Sequence, residues 1–373
     1  MNRRGLLATG LALATPGLGW AKERGMIINA LGGIENPNLA LARPPGDKTV
    51  PRDMDIDARA LSDLRTAGIA AVNVTLDYVA GPEDPYETSL KSIAAWDAVL
   101  AAHPRALVPV RSAADIQAAH DQGRTGVIYG FQNAVQIGEH LERIAEFADK
   151  GLRVIQLTYN PANLLGDGAM APENRGLTPL GHQVVEGLNA ARVMVDLSHS
   201  GERTCLDAIA ASRAPISINH TGCRALCDLP RNKTDAELRG VAQGGGFVGL
   251  YFMPFLARDG HPTAGDVVAH IEHALNVCGE DHVGLGTDGD ITGIDDLKAY
   301  QAHLEREVAD RAAAGIGATG ERADTYPFVA DLRGVGQFEK LAGLLSARGH
   351  SQARIDKILG GNFLRFARDV WGG

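Results

Sequence analysis

Short apolar runs alternate with longer amphipathic stretches along most of the chain. Nine runs have the length and composition of buried β-strands. Between them, apolar residues recur at helical spacing, as in residues 58–68, 177–191, 204–212, 234–245 and 264–279. The predicted strands cover residues 26–31, 69–76, 106–110, 126–132, 153–159, 193–199, 215–220, 246–252 and 282–288.

This alternation of strands and helices predicts a parallel sheet. About eight strand-helix units without a dinucleotide-binding fingerprint favour a closed (β/α)8 barrel, the TIM-type fold of the α/β class, over an open doubly wound sheet. One strand is surplus to eight, and ALVPV at residues 106–110 is our candidate for it. No interdomain linker is evident, so residues 22–373 are predicted to form a single domain.

The first 21 residues have the pattern of a secretory signal. Arg3 and Arg4 precede a short apolar stretch, residues 5–20, which is interrupted by Pro16, and cleavage is expected after Ala21. The adjacent arginines predict the twin-arginine type of signal and a periplasmic or secreted mature protein. An uncleaved anchor helix fits less well, because the apolar stretch is short and contains proline.

Composition narrows the class of ligand. The formal net charge is -9 and no basic cluster occurs, which argues against nucleic acid as a partner and favours a small molecule. No later segment is long and apolar enough to span a membrane. The four cysteines are too few for a disulfide scaffold in a chain of 373 residues and are interpreted as mostly structural, with their pairing left open: Cys205, Cys223, Cys227 and Cys278.

Three predicted strands end on residues that can bind a metal ion. His199, His220 and Asp288 close the runs VMVDLSH, PISINH and HVGLGTD, each in phase with inward-pointing residues. Carboxyl ends of barrel strands line the active-site mouth, so these side chains are expected to converge. Two imidazoles and a carboxylate suit Zn(II) or a similar divalent ion, although a hydrogen-bonded polar cluster without metal stays open. A lone histidine such as His199 is also compatible with a simple core role.

A glycine-rich motif near the C-terminal end is interpreted as a loop. Residues 315–320 fit G-x-G-x-x-G, but they follow the charged helical run 303–314, whereas a dinucleotide site needs a preceding strand. The surrounding region, about residues 289–330, reads as a long excursion after the last strand. This excursion is expected to cover the barrel mouth.

Several spaced motifs resemble the membrane (renal) dipeptidase family of zinc metallopeptidases. They are the run from VDLSH to TGCRAL (residues 195–226), LPRN (229–232), HVGLGTD (282–288) and ILGGNFLR (358–365). The resemblance implies an amidohydrolase-like (β/α)8 barrel that binds two zinc ions and cleaves dipeptides, including those with D-residues at the C-terminal side. It matches His199 and His220 to ligands of one zinc and Asp288 to a carboxylate serving the other. It matches Arg231 to the arginine that binds the substrate carboxylate; a surface arginine is the alternative.

At several other positions this chain differs from the family's metal-ligand pattern. The His-x-Asp pair that opens the family's first strand is replaced by Leu31 and Gly33, the bridging glutamate by Gln132, and a later histidine by Tyr159. A second ion would lack ligands and balancing negative charge. The sequence therefore predicts at most one divalent metal, Zn(II), on His199, His220 and Asp288, with Gln132 as a weak neutral ligand.

Further residues are candidates for proton transfer and substrate contact. Asp290 follows Asp288 and is a candidate general base or a group that hydrogen-bonds to a metal ligand, whereas Asp196 lies on the opposite strand face and is expected to be structural. Tyr159 and Asn163 are predicted to contact substrate. The loop at residues 160–176 also contains Asp167 and Glu173, and the sequence does not choose among these side chains.

These observations predict an exported metallohydrolase that cleaves a dipeptide or related small amide. In this reading the metal activates water, Asp288 or Asp290 takes the proton, and Arg231 positions the substrate carboxylate. The alternative is a catalytically degenerate relative that acts as a periplasmic binding or maturation protein for a small peptide or metabolite. The sequence does not determine the oligomeric state, and a homodimer is one of the alternatives.

Overall fold

The structure is a computed structural model and describes residues 25–43, 54–76 and 78–372. The predicted signal at residues 1–21 lies outside the described residues. All nine predicted strands are present, although most begin or end one to three residues inside the predicted run, where the chain turns away from its neighbours. The strands are β1 (Ile27–Asn29), β2 (Ile69–Thr75), β3 (Leu107–Pro109), β4 (Thr125–Phe131), β5 (Leu152–Gln156), β6 (Met194–Asp196), β7 (Ser217–Thr221), β8 (Phe247–Leu250) and β9 (Val283–Leu285).

Eight strands form the predicted parallel barrel. Their order is β1-β2-β4-β5-β6-β7-β8-β9, and every pairing is parallel. The last strand returns beside the first, where Ala30 N donates to Leu285 O (2.9 Å) and Asp288 N donates to Leu31 O (3.0 Å). The surplus strand is β3, as expected, because it pairs with β4 off this path.

Helices connect the strands and cover the outside of the barrel. Their starts follow local sequence: Ser112 with Asp115 and Thr234 with Glu237 form capping boxes, and Pro85 occupies a first-turn position. The helices are α1 (Pro37–Ala42), α2 (Ala58–Ala67), α3 (Pro85–Ala102), α4 (Ala113–Asp121), α5 (Glu142–Asp149), α6 (Pro179–Ala190), α7 (Glu202–Ala211), α8 (Asp235–Gln243), α9 (Ala264–Cys278), α10 (Leu297–Ala313), α11 (Gln337–Ala347), α12 (Gln352–Asp356) and α13 (Asn362–Trp371).

The core lies between the strands and these helices. Val127, Ile155 and Val195 of neighbouring strands are fully or almost fully buried, with Trp96 of α3 packed into the same cluster. All four cysteines are buried, and none of them forms a disulfide in the structure. Across the described ranges, no helix has the length and apolar character needed to cross a membrane.

The excursion after β9 folds over the barrel mouth, as expected. Its main element is α10, and Tyr300 of this helix is buried against Tyr326 and Phe328, whose rings stack 4.9 Å apart. The glycine-rich motif follows α10 as a loop, with Gly315 and Gly320 at positive φ angles of 68° and 102°. The element directly before this motif is the helix α10 and not a strand, so the motif lacks the setting of a dinucleotide site.

Candidate active site

A cavity of about 590 Å³ opens at the carboxyl ends of the barrel strands. Its floor comes from residues that directly follow strands, and its roof comes from one face of α10, including Leu304, Val308 and Arg311. Apolar side chains after β8, among them Phe252 and Phe255, form one wall. The predicted site residues that line the cavity are Gln132, Tyr159, His199, Arg231, Asp288 and Asp290.

His199 follows β6 and presents one ring nitrogen with no polar partner. Its Nδ1 donates to Asn160 Oδ1 at 2.7 Å, an orientation supported by the bond from Asn160 Nδ2 to Ile316 O. The Tyr159 ring stacks on the imidazole with centroids 4.1 Å apart. Burial lowers the pKa of His199 well below its usual value, so the ring is neutral. Its Nε2 therefore carries a lone pair and is bonded to no described group.

His220 lies in β7, behind His199 and off the cavity wall. The two ring centroids are 5.0 Å apart. Asp196 and Ser198 fix the backbone here: Ser198 Oγ donates to Asp196 Oδ1 (2.5 Å) and accepts from His220 N (3.0 Å). This supports the structural role expected for Asp196. Both ring nitrogens of His220 are buried without a hydrogen-bond partner in the described structure, and burial lowers the pKa of the imidazole.

Arg231 is buried rather than exposed, so the surface-arginine alternative is wrong. The side chain is 1% exposed, donates through Nη1 to the Ser198 carbonyl, and lies over the Tyr251 ring at 6.0 Å. It also lines the cavity. A buried guanidinium at a cavity wall retains donors for a carboxylate, the group it forms paired hydrogen bonds with most readily.

Asp288 sits at the mouth in an uncommon backbone conformation. Its φ of 57° lies in the left-handed region, which residues other than glycine seldom adopt and which is frequent at functional sites. Burial raises the pKa of Asp288 to about 6, although Arg231 and Arg311 oppose the shift. A carboxylate with this pKa accepts protons near neutral pH. Asp290 lines the same cavity beside β1, through a bridge to Gly33.

The positions that replace the family's His-x-Asp pair and bridging glutamate do not fit a metal ion here. Leu31 has no donor atom, and a Cβ at Gly33 would lie 2.0 Å from Asp290 Oδ1 and 2.1 Å from Glu35 Oε2. The Gln132 amide donates to Thr75 Oγ1 at 2.7 Å. Among the residues the structure describes, no three His, Cys, Asp or Glu side chains are grouped as metal ligands. The two imidazoles are close together, but they and Asp288 do not form such a group.

The roof is fastened to the floor beside His199. Arg311 of α10 donates to Glu321 Oε1 and Oε2 at 2.7 and 3.0 Å and to the Tyr159 hydroxyl at 3.2 Å. Burial raises the pKa of the Tyr159 phenol and Arg311 opposes the rise, so the phenol is protonated. Tyr159 accepts from Arg311, which leaves its own hydrogen for another acceptor.

The loop at residues 160–176 contributes less than its sequence suggested. Asn163 does not line the cavity, because its amide bonds to Asn133, Leu157, Leu165 and Gly166. The Asp167 carboxylate pairs with Arg175, and neither it nor the exposed Glu173 reaches the cavity. Sequence reasoning missed Asn160 and Arg311. The only sequence signal for Asn160 was its place beside Tyr159, just after a strand end.

A (β/α)8 barrel with imidazoles, a carboxylate and a buried arginine at its carboxyl-end mouth defines an amidohydrolase-like hydrolase. A family model described as membrane dipeptidase (peptidase family M19) matches residues 47–314. The chain belongs to this family, which confirms the resemblance seen in its motifs. It is thus a member of a family of peptide hydrolases.

Three relatives show how far the similarity extends. An amidohydrolase from Pseudomonas aeruginosa has a TM-score of 0.78 and 30% identity, covering 95% of this chain and 98% of that one. An uncharacterized protein in the pqqA 5′ region of Klebsiella pneumoniae is 28% identical over 78% of this chain and 98% of its own length. Dipeptidase tcpJ of Claviceps purpurea is 28% identical over 69% of this chain, which spans about half (53%) of that protein.

Proposed function

We propose that this protein hydrolyses a dipeptide or a related small amide with the help of one divalent metal ion, Zn(II). The observation that carries the proposal is the pair of neutral, buried imidazoles with unpartnered ring nitrogens in the described structure: His199 Nε2 at the cavity and both nitrogens of His220 behind it. Leaving such nitrogens without a partner costs stability, so they are better explained by a ligand than by packing. The family and the name of the Claviceps relative support a peptide substrate.

The donor set supports one ion rather than two. His199 Nε2 and a ring nitrogen of His220 are ligands that Zn(II) prefers, and with only two protein nitrogens the remaining positions would take water or substrate. Such an ion would polarise a carbonyl or lower the pKa of water. The first-strand position offers neither the donors nor, at Gly33, the space.

The protein's own residues supply binding and proton transfer. Arg231 binds the terminal carboxylate of the substrate from its buried position beside Ser198. Asp288, with its pKa raised to about 6, accepts a proton from the attacking water. The Tyr159 hydroxyl donates a hydrogen bond to the substrate, and the roof formed by α10 limits the access of bulk water.

Metal content and turnover should be measured on the same purified sample. Elemental analysis is expected to give about one metal per chain. A panel of dipeptides, assayed with and without added Zn(II), Mn(II) or Fe(II), is expected to show metal-dependent cleavage that Arg231→Met weakens mainly through KM. A protein without bound metal and without turnover on any dipeptide would instead favour the small-peptide or metabolite binding protein.

We also propose that the chain is exported to the periplasm through a twin-arginine signal. The support is the sequence pattern of Arg3 and Arg4 before residues 5–20. Replacing both arginines by lysine is expected to leave precursor in the cytoplasm. Normal export of that double variant would contradict the route but not the compartment.

A further inference from the structure

A second buried polar cluster lies directly behind the site and joins Cys205, Lys233 and Glu237. Lys233 Nζ lies 3.1 Å from Cys205 Sγ and 3.3 Å from Glu237 Oε1, and it also donates to the Ser200 carbonyl. Cys205 has no exposed surface, and Lys233 and Glu237 are each 1% exposed. None of the three lines the cavity. The proposed hydrolysis therefore does not use them.

Packing alone does not account for this arrangement. A lysine is almost never fully buried unless it is paired, and Glu237 already provides the pairing charge. The Cys205 thiol is a third group in this cluster, and the ion pair between Lys233 and Glu237 does not need it. The other short contacts of Cys205 Sγ, to the carbonyls of Leu197 and Ser200, are both 3.6 Å long, so its approach to the amine is closer by 0.5 Å.

The surroundings shield the thiol from bulk reagents and leave it in contact with one nitrogen group, the Lys233 ammonium. Burial raises the pKa of Cys205 well above its usual value, so a solvent-borne electrophile meets little thiolate. Glu237 Oε2 is held by Thr234 N and Oγ1, whereas Oε1 faces the ammonium group. The carboxylate can therefore take a proton from this cluster without rearrangement.

We propose that Cys205 and Lys233 form an oxidative crosslink in which one oxygen atom bridges Sγ and Nζ, with dioxygen as the oxidant. The thiol, the ammonium group and O₂ give S–O–NH, one water molecule and one proton, which Glu237 accepts. One S–H bond, two N–H bonds and the O–O bond of dioxygen break, and one S–O bond, one N–O bond and the two O–H bonds of water form. Sulfur and nitrogen each lose two electrons, and both oxygen atoms are reduced. A reducing thiol reverses the crosslink to a cysteine and a lysine.

The crosslink would join two segments that carry site residues. Lys233 follows Arg231 by two residues, and its amine already contacts Ser200, the neighbour of His199. Cys205 lies in the first turns of α7, which begins directly after this segment. The redox state of the cluster is therefore positioned to set the rigidity of the segments holding His199 and Arg231.

Intact-mass and peptide measurements test the crosslink on the wild-type full chain, independently of any enzymatic activity. After incubation in air-saturated buffer, the mass is expected to rise by about 14 Da, one oxygen gained and two hydrogens lost. Trypsin should release peptide 204–213 joined to peptide 232–239, because modified Lys233 resists cleavage. Dithiothreitol should remove both signals. The oxidised form is expected to melt a few degrees higher, since a new covalent loop restricts the unfolded chain.

Matched variants identify the atoms involved. Lys233→Met and Cys205→Ser should each abolish the crosslink, whereas Cys278→Ser, another buried thiol, should leave it intact. A loss of about 2 Da, as in a direct S–N bond, would overturn the oxygen bridge. An unchanged wild-type mass, or oxygen added to Cys205 without a joined peptide, would overturn the proposal as a whole. Neither result depends on whether the chain cleaves dipeptides.

Discussion

Two buried histidines of this chain provide opposite tests of what an imidazole contributes. His220 is fully buried with no hydrogen-bond partner for either ring nitrogen in the described structure. His270 is 2% exposed, accepts from Cys223 N at 2.9 Å, and donates to the Leu256 carbonyl at 3.1 Å. If His220 is present for ligand binding, replacing it should not destabilise the metal-free fold. Replacing His270 should.

The expected magnitudes differ by several kcal/mol. A buried polar group left unpaired costs about 1–3 kcal/mol, and His220→Leu removes that cost, offset by up to about 1.5 kcal/mol for an imperfect fit. We therefore expect metal-free His220→Leu to lie between about 0.5 kcal/mol less stable and about 3 kcal/mol more stable than wild type. His270→Leu strands the Cys223 amide and the Leu256 carbonyl, so we expect it to lose about 2–5 kcal/mol.

Urea unfolding of chelator-treated protein, followed by circular dichroism, measures both free energies of unfolding. Adding Zn(II) at about 100 times its dissociation constant should stabilise wild type by about 2.7 kcal/mol and His220→Leu by almost nothing. A loss of about 2 kcal/mol or more in metal-free His220→Leu would refute the reasoning. It would show that the imidazole stabilises the core.

Three further outcomes are expected. Burial raises the folded pKa of Asp288 to about 6, so the folded state binds more protons than the unfolded state between about pH 4 and 6. The free energy of unfolding of wild type should therefore fall by about 1–3 kcal/mol as pH rises through this window and level off above it. Urea titrations should show that this fall is missing in Asp288→Asn. Arg311→Met should speed amide exchange in α10 at least tenfold while barrel strands stay protected, and unchanged exchange would contradict the fastening role. Combining Leu31→His, Gly33→Asp and Gln132→Glu should raise bound metal from about one towards two per chain. The new side chain at position 33 requires the flexible carboxylates of Asp290 and Glu35 to move aside. An unchanged metal content by elemental analysis would contradict this prediction.

The architecture followed from sequence because each strand is a compact apolar run between glycine-rich breaks. Even the surplus strand at residues 106–110 was identified. Side-chain roles were predicted where a strand end fixes direction, as for His199 and Asp288, both of which line the cavity. Arg231 was left between two readings, because burial of a loop residue depends on segments distant in sequence.

The sequence did not predict side-chain contacts between residues that are distant in sequence and close only in the fold. Arg311 lies in a highly charged helical run that resembles any solvated helix, and only the folded chain brings it to Tyr159. The pairing of Lys233 with Cys205 likewise joins two elements with no shared pattern. At Gly33 the sequence shows that the metal-binding carboxylate is replaced, but it does not show that carboxylate oxygens of other residues fill the space beside this glycine.

The Asn160 side chain has a consequence for how the site and its roof communicate. One end of its amide holds the His199 ring and the other holds the Ile316 carbonyl in the loop after α10. A ligand that turns or charges the imidazole must therefore alter the free energy of that loop. Thermodynamic reciprocity requires the converse: whatever steadies the loop changes affinity at His199 by the same factor. The Asn160 amide thus links ligand binding at His199 to the ordering of the loop that contains Ile316.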